Sequence, residues 1–202
     1  MRAAKAGLAT PHGNHTLYTH IGKLCYALNA TVQHACILNR KYQRSLWRGA
    51  HGASRAKLCI TALERGIVFE ISAAYNKPVI ASHSNAYAIC PVSRNLQDWQ
   101  IDAIIASGGI IGINLFRLFL EENGEATLDS ILRHIEYFLS RGAENTIAFG
   151  CDMDGADLPD DIPNLSHLDR VAEHLLAHGY SQKLIDNLFF ENAYRFAQKH
   201  FR

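Results

Sequence analysis

The chain contains 202 residues, of which 48% are hydrophobic and 19% are charged, and its formal net charge is +1. This length is enough for one domain with a sizeable core. No apolar run approaches the roughly 20 residues that span a bilayer, so we expect no membrane-spanning helix. The first ten residues lack the apolar stretch of a secretory signal, and the five cysteines form no close pair. We therefore expect a cytoplasmic protein with reduced thiols.

The small net charge hides a break in composition near residue 67. Residues 1–66 carry ten Lys/Arg and a single acid, Glu64, for a charge of +9, whereas residues 67–202 carry −8. We interpret residues 1–66 as an unmatched basic segment, poorly ordered or disrupted in its reading frame, and residues 67–202 as a unit of different origin. Nucleic-acid binding is the alternative for the basic segment, although no recognisable nucleic-acid motif accompanies the charge.

Three short apolar runs in the second part have the character of buried strands. They are KPVIASHS (77–84), GGIIGINLF (108–116) and NTIAFGCDMDG (145–155). Each is rich in β-branched residues and ends in polar residues, which is typical of strands that are covered on both faces.

Amphipathic helix patterns alternate with these strands. Helical spacing predicts helices over residues 95–109, with Asn95 as N-cap, and over 127–142, which Gly142 ends. Two further helices are predicted over roughly residues 166–178 and 181–200, the second capped by Ser181.

The alternating order predicts an α/β fold with a parallel sheet. Polar side chains follow each strand at its C-terminal end: His83, Asn114, and Asp152 with Asp154. In a (β/α)8 barrel that edge holds the catalytic groups, and an open doubly wound sheet would also bind ligands there. Because no glycine-rich nucleotide motif follows any strand, we favour the barrel, although three strands cannot close one.

The segments PVIASHSNA (78–86) and CPVSRNL (90–96) closely resemble the membrane dipeptidase (renal dipeptidase) family. The similarity continues in the family's order through GGIIGIN, LRHIEYF, AFGCDMDG and GYSQKLIDNLFFENAYRFA. The resemblance implies the C-terminal half of a metal-dependent-hydrolase-type (β/α)8 TIM barrel. It also implies a zinc metallopeptidase that cleaves dipeptides, typically as a homodimer.

The resemblance assigns roles to individual residues. His83 matches the family's last histidine ligand of zinc, and Arg94 matches the arginine that holds the terminal carboxylate of the substrate. Asp152 matches the catalytic acid that contacts the substrate near the metals and assists proton transfer. In the family, two zinc ions activate the attacking water. A shorter match, LYTH (17–20), would make His20 a second substrate-binding residue.

Part of the family's metal site has no counterpart in the sequence. The His-x-Asp pair, the bridging glutamate and one histidine ligand are not matched, and Cys59 falls near the place expected for that histidine. One matched histidine cannot hold two zinc ions. Two hypotheses therefore remain: a metallodipeptidase that recruits its other ligands from unusual positions or a partner chain, and a catalytically inactive, truncated remnant.

Two further groups of metal-binding residue types are interpreted as structural. His174 and His178 are four residues apart and share a helix face, but they lack the glutamate of an HExxH motif, so we interpret them as a solvated face. Cys90 and Cys151 lie in strand-end segments and are expected to be small buried hydrophobic residues.

Overall fold

A computed structural model of the chain describes residues 58–59, 78–153 and 155–200. A four-stranded sheet lies at its centre, and its strands are parallel and adjacent in chain order. The strands are β1 (Leu58–Cys59), β2 (Val79–Ala81), β3 (Ile110–Ile113) and β4 (Ile147–Phe149). The predicted α/β class and the three parallel strands are confirmed. The sequence pattern did not predict β1, which lies within the segment that the charge distribution sets apart.

Six α-helices surround the described strands. They are α1 (Asp98–Ala106), α2 (Arg117–Leu120), α3 (Leu128–Ser140), α4 (Asp169–Ala177), α5 (Gln182–Asp186) and α6 (Asn192–His200). A 3₁₀ turn (Leu165–His167) precedes α4, and a π-helical segment (Asn187–Glu191) joins α5 to α6. Within the described residues, none of the helices has the length and apolarity needed to cross a membrane.

Most helix ends follow the signals in the sequence. The backbone N–H of Thr127 donates to Ser130 Oγ (3.1 Å) at the start of α3, and Gly142 adopts a φ of 82° just after its end. Ser181 caps α5 as predicted, because its Oγ accepts from the N–H of Leu184 (3.3 Å).

The predicted N-cap of α1 is wrong. Gln97 caps this helix, and its N–H donates to Gln100 Oε1 (2.8 Å). Asn95 is instead buried in the preceding loop, where its amide Nδ2 donates to the carbonyl oxygens of Cys90 (2.8 Å) and Phe119 (2.9 Å). An asparagine just before a helix can either cap the helix or bind backbone groups in the preceding loop, and the sequence pattern is the same in both cases. Here the buried carbonyl oxygens of the loop take the amide of Asn95.

Both faces of the sheet are covered by apolar side chains. On one face, alternate strand residues join a large core with side chains of α1, α3 and α4; the strand residues are Val79, Ala81, Ile111, Ile113, Ile147 and Phe149. On the other face, Ile80, Ile110 and Ala148 pack with Ala193 and Phe196 of α6. Burial of a side chain of the size of Val, Ile or Phe stabilises the fold by about 1.5–3 kcal/mol. The continuous apolar runs of the strands thus reflect cover on both sides.

A buried histidine connects α3 to the loop after β2. The N–H of Ala86 donates to Nδ1 of His134 (3.2 Å), and Nε2 of His134 lies 3.2 Å from the carbonyl oxygen of Leu120. Nδ1 is therefore the acceptor and Nε2 carries the proton, so the imidazole is neutral. Burial lowers the pKa of His134 from 6.5 to about 4.

We predict that this histidine makes the stability of the fold depend on pH. Between pH 6.5 and about 4, the unfolded chain binds a proton at His134 and the folded chain does not. The free energy of unfolding should fall as the pH falls through this window, by at most about 1.4 kcal/mol per pH unit from this group. His134→Gln keeps an N–H donor but does not titrate. Its free energy of unfolding, measured by urea unfolding at several pH values, should therefore depend less steeply on pH.

His167→Gln is the matched control, because His167 lies on a partly exposed turn. Its free energy of unfolding should change with pH as steeply as that of the unsubstituted chain. If the free energy of unfolding depends on pH equally in the unsubstituted chain and in the His134→Gln variant, His134 is not the titrating group.

Candidate functional site

The loops that follow β2, β3 and β4 bring three polar side chains together. Nε2 of His83 lies 3.9 Å from Oδ2 of Asp152, and Nδ2 of Asn114 lies 3.4 Å from the same carboxylate oxygen. Asn114 Nδ2 is also 3.4 Å from the carbonyl oxygen of His83. Parallel strands end at a common edge, so the strand order itself places these residues in one cleft.

The hydrogen bonds of His83 determine which ring nitrogen faces the cleft. Its Nδ1 lies 2.8 Å from Ser82 Oγ, and its Nε2 lies 3.3 Å from Nη2 of Arg94. A guanidinium has donors only, so Nε2 must accept and Nδ1 must carry the proton. The lone pair of Nε2 therefore accepts from Arg94 in the cleft, and an imidazole nitrogen in this state is also of the type that binds a metal.

Arg94 reaches the cleft from the loop between β2 and α1. Its guanidinium carbon lies 5.8 Å from the centre of the Phe119 ring, within the range of a cation–π contact. The side chain stays exposed while it approaches His83. Its planar fork of N–H groups is suited to a carboxylate ligand.

Asp152 occupies a backbone conformation that few residues other than glycine adopt. Its φ is 61°, and its carbonyl oxygen accepts from the N–H of Gly155 (3.0 Å). Asp and Asn tolerate the left-handed region better than most residues, at a cost of order 1 kcal/mol. The turn at Asp152 directs its carboxylate back toward the strand ends and His83.

A buried amide joins the loops after β2 and β3. Asn85 Oδ1 accepts from the N–H of Asn114 (3.0 Å), and Asn85 Nδ2 donates to the carbonyl oxygens of Asn114 (2.9 Å) and Phe119 (3.2 Å). The side-chain amide thus pairs with both backbone groups of Asn114, as a peptide group of an adjacent strand would. The SHSNA segment contains Asn85, but nothing in the sequence pattern indicates that this residue positions Asn114.

Two glycines allow the backbone before His83 to pass close to the neighbouring strands. A Cβ at Gly112 or Gly150 would lie well inside van der Waals contact with the carbonyl oxygen of Ser82. Only residues without a side chain fit there, so the two glycines determine how closely the His83 loop packs onto the sheet.

The remaining predicted site residues fall elsewhere. His20 lies outside the described residues, so its predicted role stays a prediction. Cys59 belongs to β1, and its side chain also lies outside the described part. Cys90 and Cys151 are buried, as expected.

The donor atoms in the cleft suit zinc in type but fall short in number. An imidazole nitrogen and a carboxylate oxygen are both zinc ligands, and His83 and Asp152 supply one of each. Catalytic zinc sites generally use three protein ligands. In the part of the chain that the structure describes, the one group of three candidate ligands lies outside this cleft, at Asp129, His174 and His178.

The sequence profile of the membrane dipeptidase family (Peptidase family M19) matches residues 65–200. The chain therefore belongs to this family, and the resemblance carried by the SHSNA and GCDMDG segments is confirmed.

Individual relatives agree with this assignment. The uncharacterized protein in the pqqA 5′ region of Klebsiella pneumoniae is 41% identical over 119 residues, which cover 57% of this chain and 44% of that protein. Dipeptidase aclJ of Aspergillus oryzae (strain ATCC 42149 / RIB 40) is 31% identical over 117 residues, covering 56% of this chain and 27% of that protein.

A solved structure shows the same fold. The metallo peptidase from Rhodobacter sphaeroides, liganded with a phosphinate mimic of the dipeptide L-Ala-D-Ala, matches with a TM-score of 0.68 and 32% identity. The match covers 72% of this chain and 42% of that one. The chain thus spans less than half the length of each of these three proteins.

We predict that Asn85→Ala strongly destabilises the fold, because Asn85 is fully buried and holds both backbone groups of Asn114. The substitution leaves the buried N–H and C=O of Asn114 without the amide partner. Each unsatisfied buried group costs about 1–3 kcal/mol, so the two groups together should lower the free energy of unfolding by about 2–6 kcal/mol. Asn123→Ala, in an exposed loop, is the control and should change it by less than about 0.5 kcal/mol. Equal stabilities of the two variants would contradict the role of Asn85.

Proposed function

We propose that the described cleft is the substrate-carboxylate side of a dipeptidase site in a metallohydrolase. We further propose that the parallel sheet is one half of a (β/α)8 barrel. The observation that carries the proposal is the meeting of Arg94, His83 and Asp152 at the C-terminal edge of the sheet. An exposed cation, an imidazole lone pair and a carboxylate are the groups that binding and cleaving a short peptide require.

Arg94 would bind the C-terminal carboxylate of the dipeptide. Its guanidinium can form two parallel hydrogen bonds with a carboxylate, and the Phe119 ring limits its positions on one side. A free carboxylate two residues from the amino end distinguishes a dipeptide from a longer chain. Arg94 would therefore contribute to the choice of substrate as well as to affinity.

Asp152 would exchange a proton with the reacting groups, and Nε2 of His83 would accept a hydrogen bond. The carboxylate of Asp152 is positioned by Nδ2 of Asn114. It could take a proton from the attacking water and return it to the departing amine. Zinc, when bound, would supply the acidity that turns the water into a nucleophile at neutral pH. The phosphinate mimic bound by the Rhodobacter sphaeroides metallo peptidase supports dipeptides as the substrate class.

The count of donors supports a second candidate function, dipeptide binding without hydrolysis. Within the described residues the cleft has two candidate zinc ligands, His83 and Asp152. Hydrolysis would require further ligands from residues outside the described part or from another chain. Dipeptide binding by Arg94 has no such requirement.

We predict that Arg94→Lys weakens the binding of L-Ala-D-Ala about tenfold or more. Hydrogen bonds to a charged group contribute about 1.5–3 kcal/mol, and a lysine cannot form the bidentate pair. The amide of the same dipeptide, which lacks the carboxylate, should bind the unsubstituted and Arg94→Lys chains with similar affinity. Isothermal titration of the full chain with both ligands measures the difference.

Arg141→Lys is the matched control, because Arg141 binds Asp98 and Asp102 between α1 and α3 and takes no part in the cleft. It should leave both affinities unchanged. Equal losses for the free acid and the amide would overturn carboxylate recognition by Arg94.

Hydrolysis of L-Ala-D-Ala in the presence of zinc separates the two candidate functions. Turnover by the full chain that His83→Ala abolishes would support the metallohydrolase. Binding without turnover in either protein would support the second candidate.

A further inference from the structure

We propose that Asp129, His174 and His178 form a binding site for a divalent transition-metal ion, separate from the cleft. Asp129 lies in the first turn of α3, His174 in the last turn of α4, and His178 directly after α4. One ligand atom from each residue lies within 4.8 Å of the other two. The site shares no residue with the cleft, and this inference does not depend on the proposed dipeptidase function.

The imidazole of His174 already points at its carboxylate partner. Its Nε2 lies 2.7 Å from Oδ1 of Asp129. A metal ion would replace the proton between these atoms. Ideal zinc–ligand bonds of about 2.0–2.1 Å in a tetrahedral site separate two ligand atoms by roughly 3.3 Å, so the pair must open slightly. The Asp129 side chain is 73% exposed and can make this adjustment.

A backbone hydrogen bond fixes which nitrogen of the second histidine carries the proton. Nδ1 of His178 lies 2.8 Å from the carbonyl oxygen of His174 and must donate to it. The proton is therefore on Nδ1, which leaves the lone pair of Nε2 available for a metal. A backbone carbonyl commonly fixes metal-binding histidines in this way. The two imidazole rings lie side by side, with their centres 4.3 Å apart.

The kinds of donor indicate the kind of ion. Two imidazoles and one carboxylate suit Zn²⁺, Co²⁺, Ni²⁺ or Cu²⁺, whereas Mg²⁺ and Ca²⁺ prefer oxygen ligands throughout. Three protein ligands leave a fourth tetrahedral position for water. The exposure of Asp129 and His178 gives an ion direct access from solvent.

Sequence spacing alone did not distinguish this site from a solvated helix face. The i, i+4 histidine pair is visible in the sequence, but its carboxylate comes from a helix 45 residues earlier. Packing of α3 against α4 supplies the third ligand. A bound ion would then join the start of α3 to the end of α4 and stabilise the folded chain.

The test is a titration of the full chain with Zn²⁺ in a His83→Ala background, which removes the histidine of the cleft. We expect Asp129→Asn and His178→Ala each to weaken one class of zinc sites about tenfold or more. The rise in melting temperature that zinc produces should shrink in both variants. Residues 1–66 contain five other histidines, whose contribution is the same in every protein compared and cancels.

Two controls separate metal binding from a structural role. Asp169→Asn and His167→Ala change the same residue types in and near α4 and should keep the zinc affinity and the thermal shift. Asp129→Asn can still accept a hydrogen bond from His174, so it should lower the zinc affinity while leaving the metal-free melting temperature nearly unchanged. Zinc isotherms and thermal shifts unaltered by both Asp129→Asn and His178→Ala would overturn the proposal.

Discussion

The position of the cleft depends on one buried amide. The register of β2 and β3 runs to Ala81 and Ile111, and the N–H of Ser84 still donates to the carbonyl oxygen of Gly112 (2.8 Å). Beyond these residues, the side chain of Asn85 pairs with the backbone of the β3 segment. It satisfies both the N–H and the C=O of Asn114, which would otherwise be buried without partners. The two loops are thereby held side by side, because one amide side chain supplies both the donor and the acceptor.

The geometry of the cleft follows from this constraint. Asn114, held by Asn85, directs its own amide toward the carboxylate of Asp152, and Asn95 anchors the loop that carries Arg94. His134 holds the same loop from α3 through the N–H of Ala86. Polar groups that are buried and fully paired specify one arrangement more strictly than apolar packing does. A fold of short strands can in this way position catalytic residue types within a few ångströms.

Sequence patterns predicted the regular elements well because their cause is local. Apolar runs covered on both faces gave three of the four described strands, and helical periodicity together with Gly142 and Ser181 gave the main helices. The candidate site residues His83, Arg94 and Asp152 were proposed from the family segments. Sequence patterns could not predict which buried side chains pair with one another after the helices and strands pack. The roles of Asn85 and Asn95, and the approach of Asp129 to His174, depend on contacts between distant parts of the chain.

We propose that Asn85 holds together the cleft in which Arg94 binds the carboxylate of the ligand. A crystal structure of the full chain with a phosphinate dipeptide mimic is the decisive measurement. We expect both hydrogen bonds from Asn85 to the Asn114 backbone to persist and the guanidinium of Arg94 to contact the carboxylate of the ligand. We also expect His83 and Asp152 to remain on the same side of the bound ligand. A ligand bound away from Arg94, with the amide of Asn85 turned to solvent, would show that the cleft is not organised in this way.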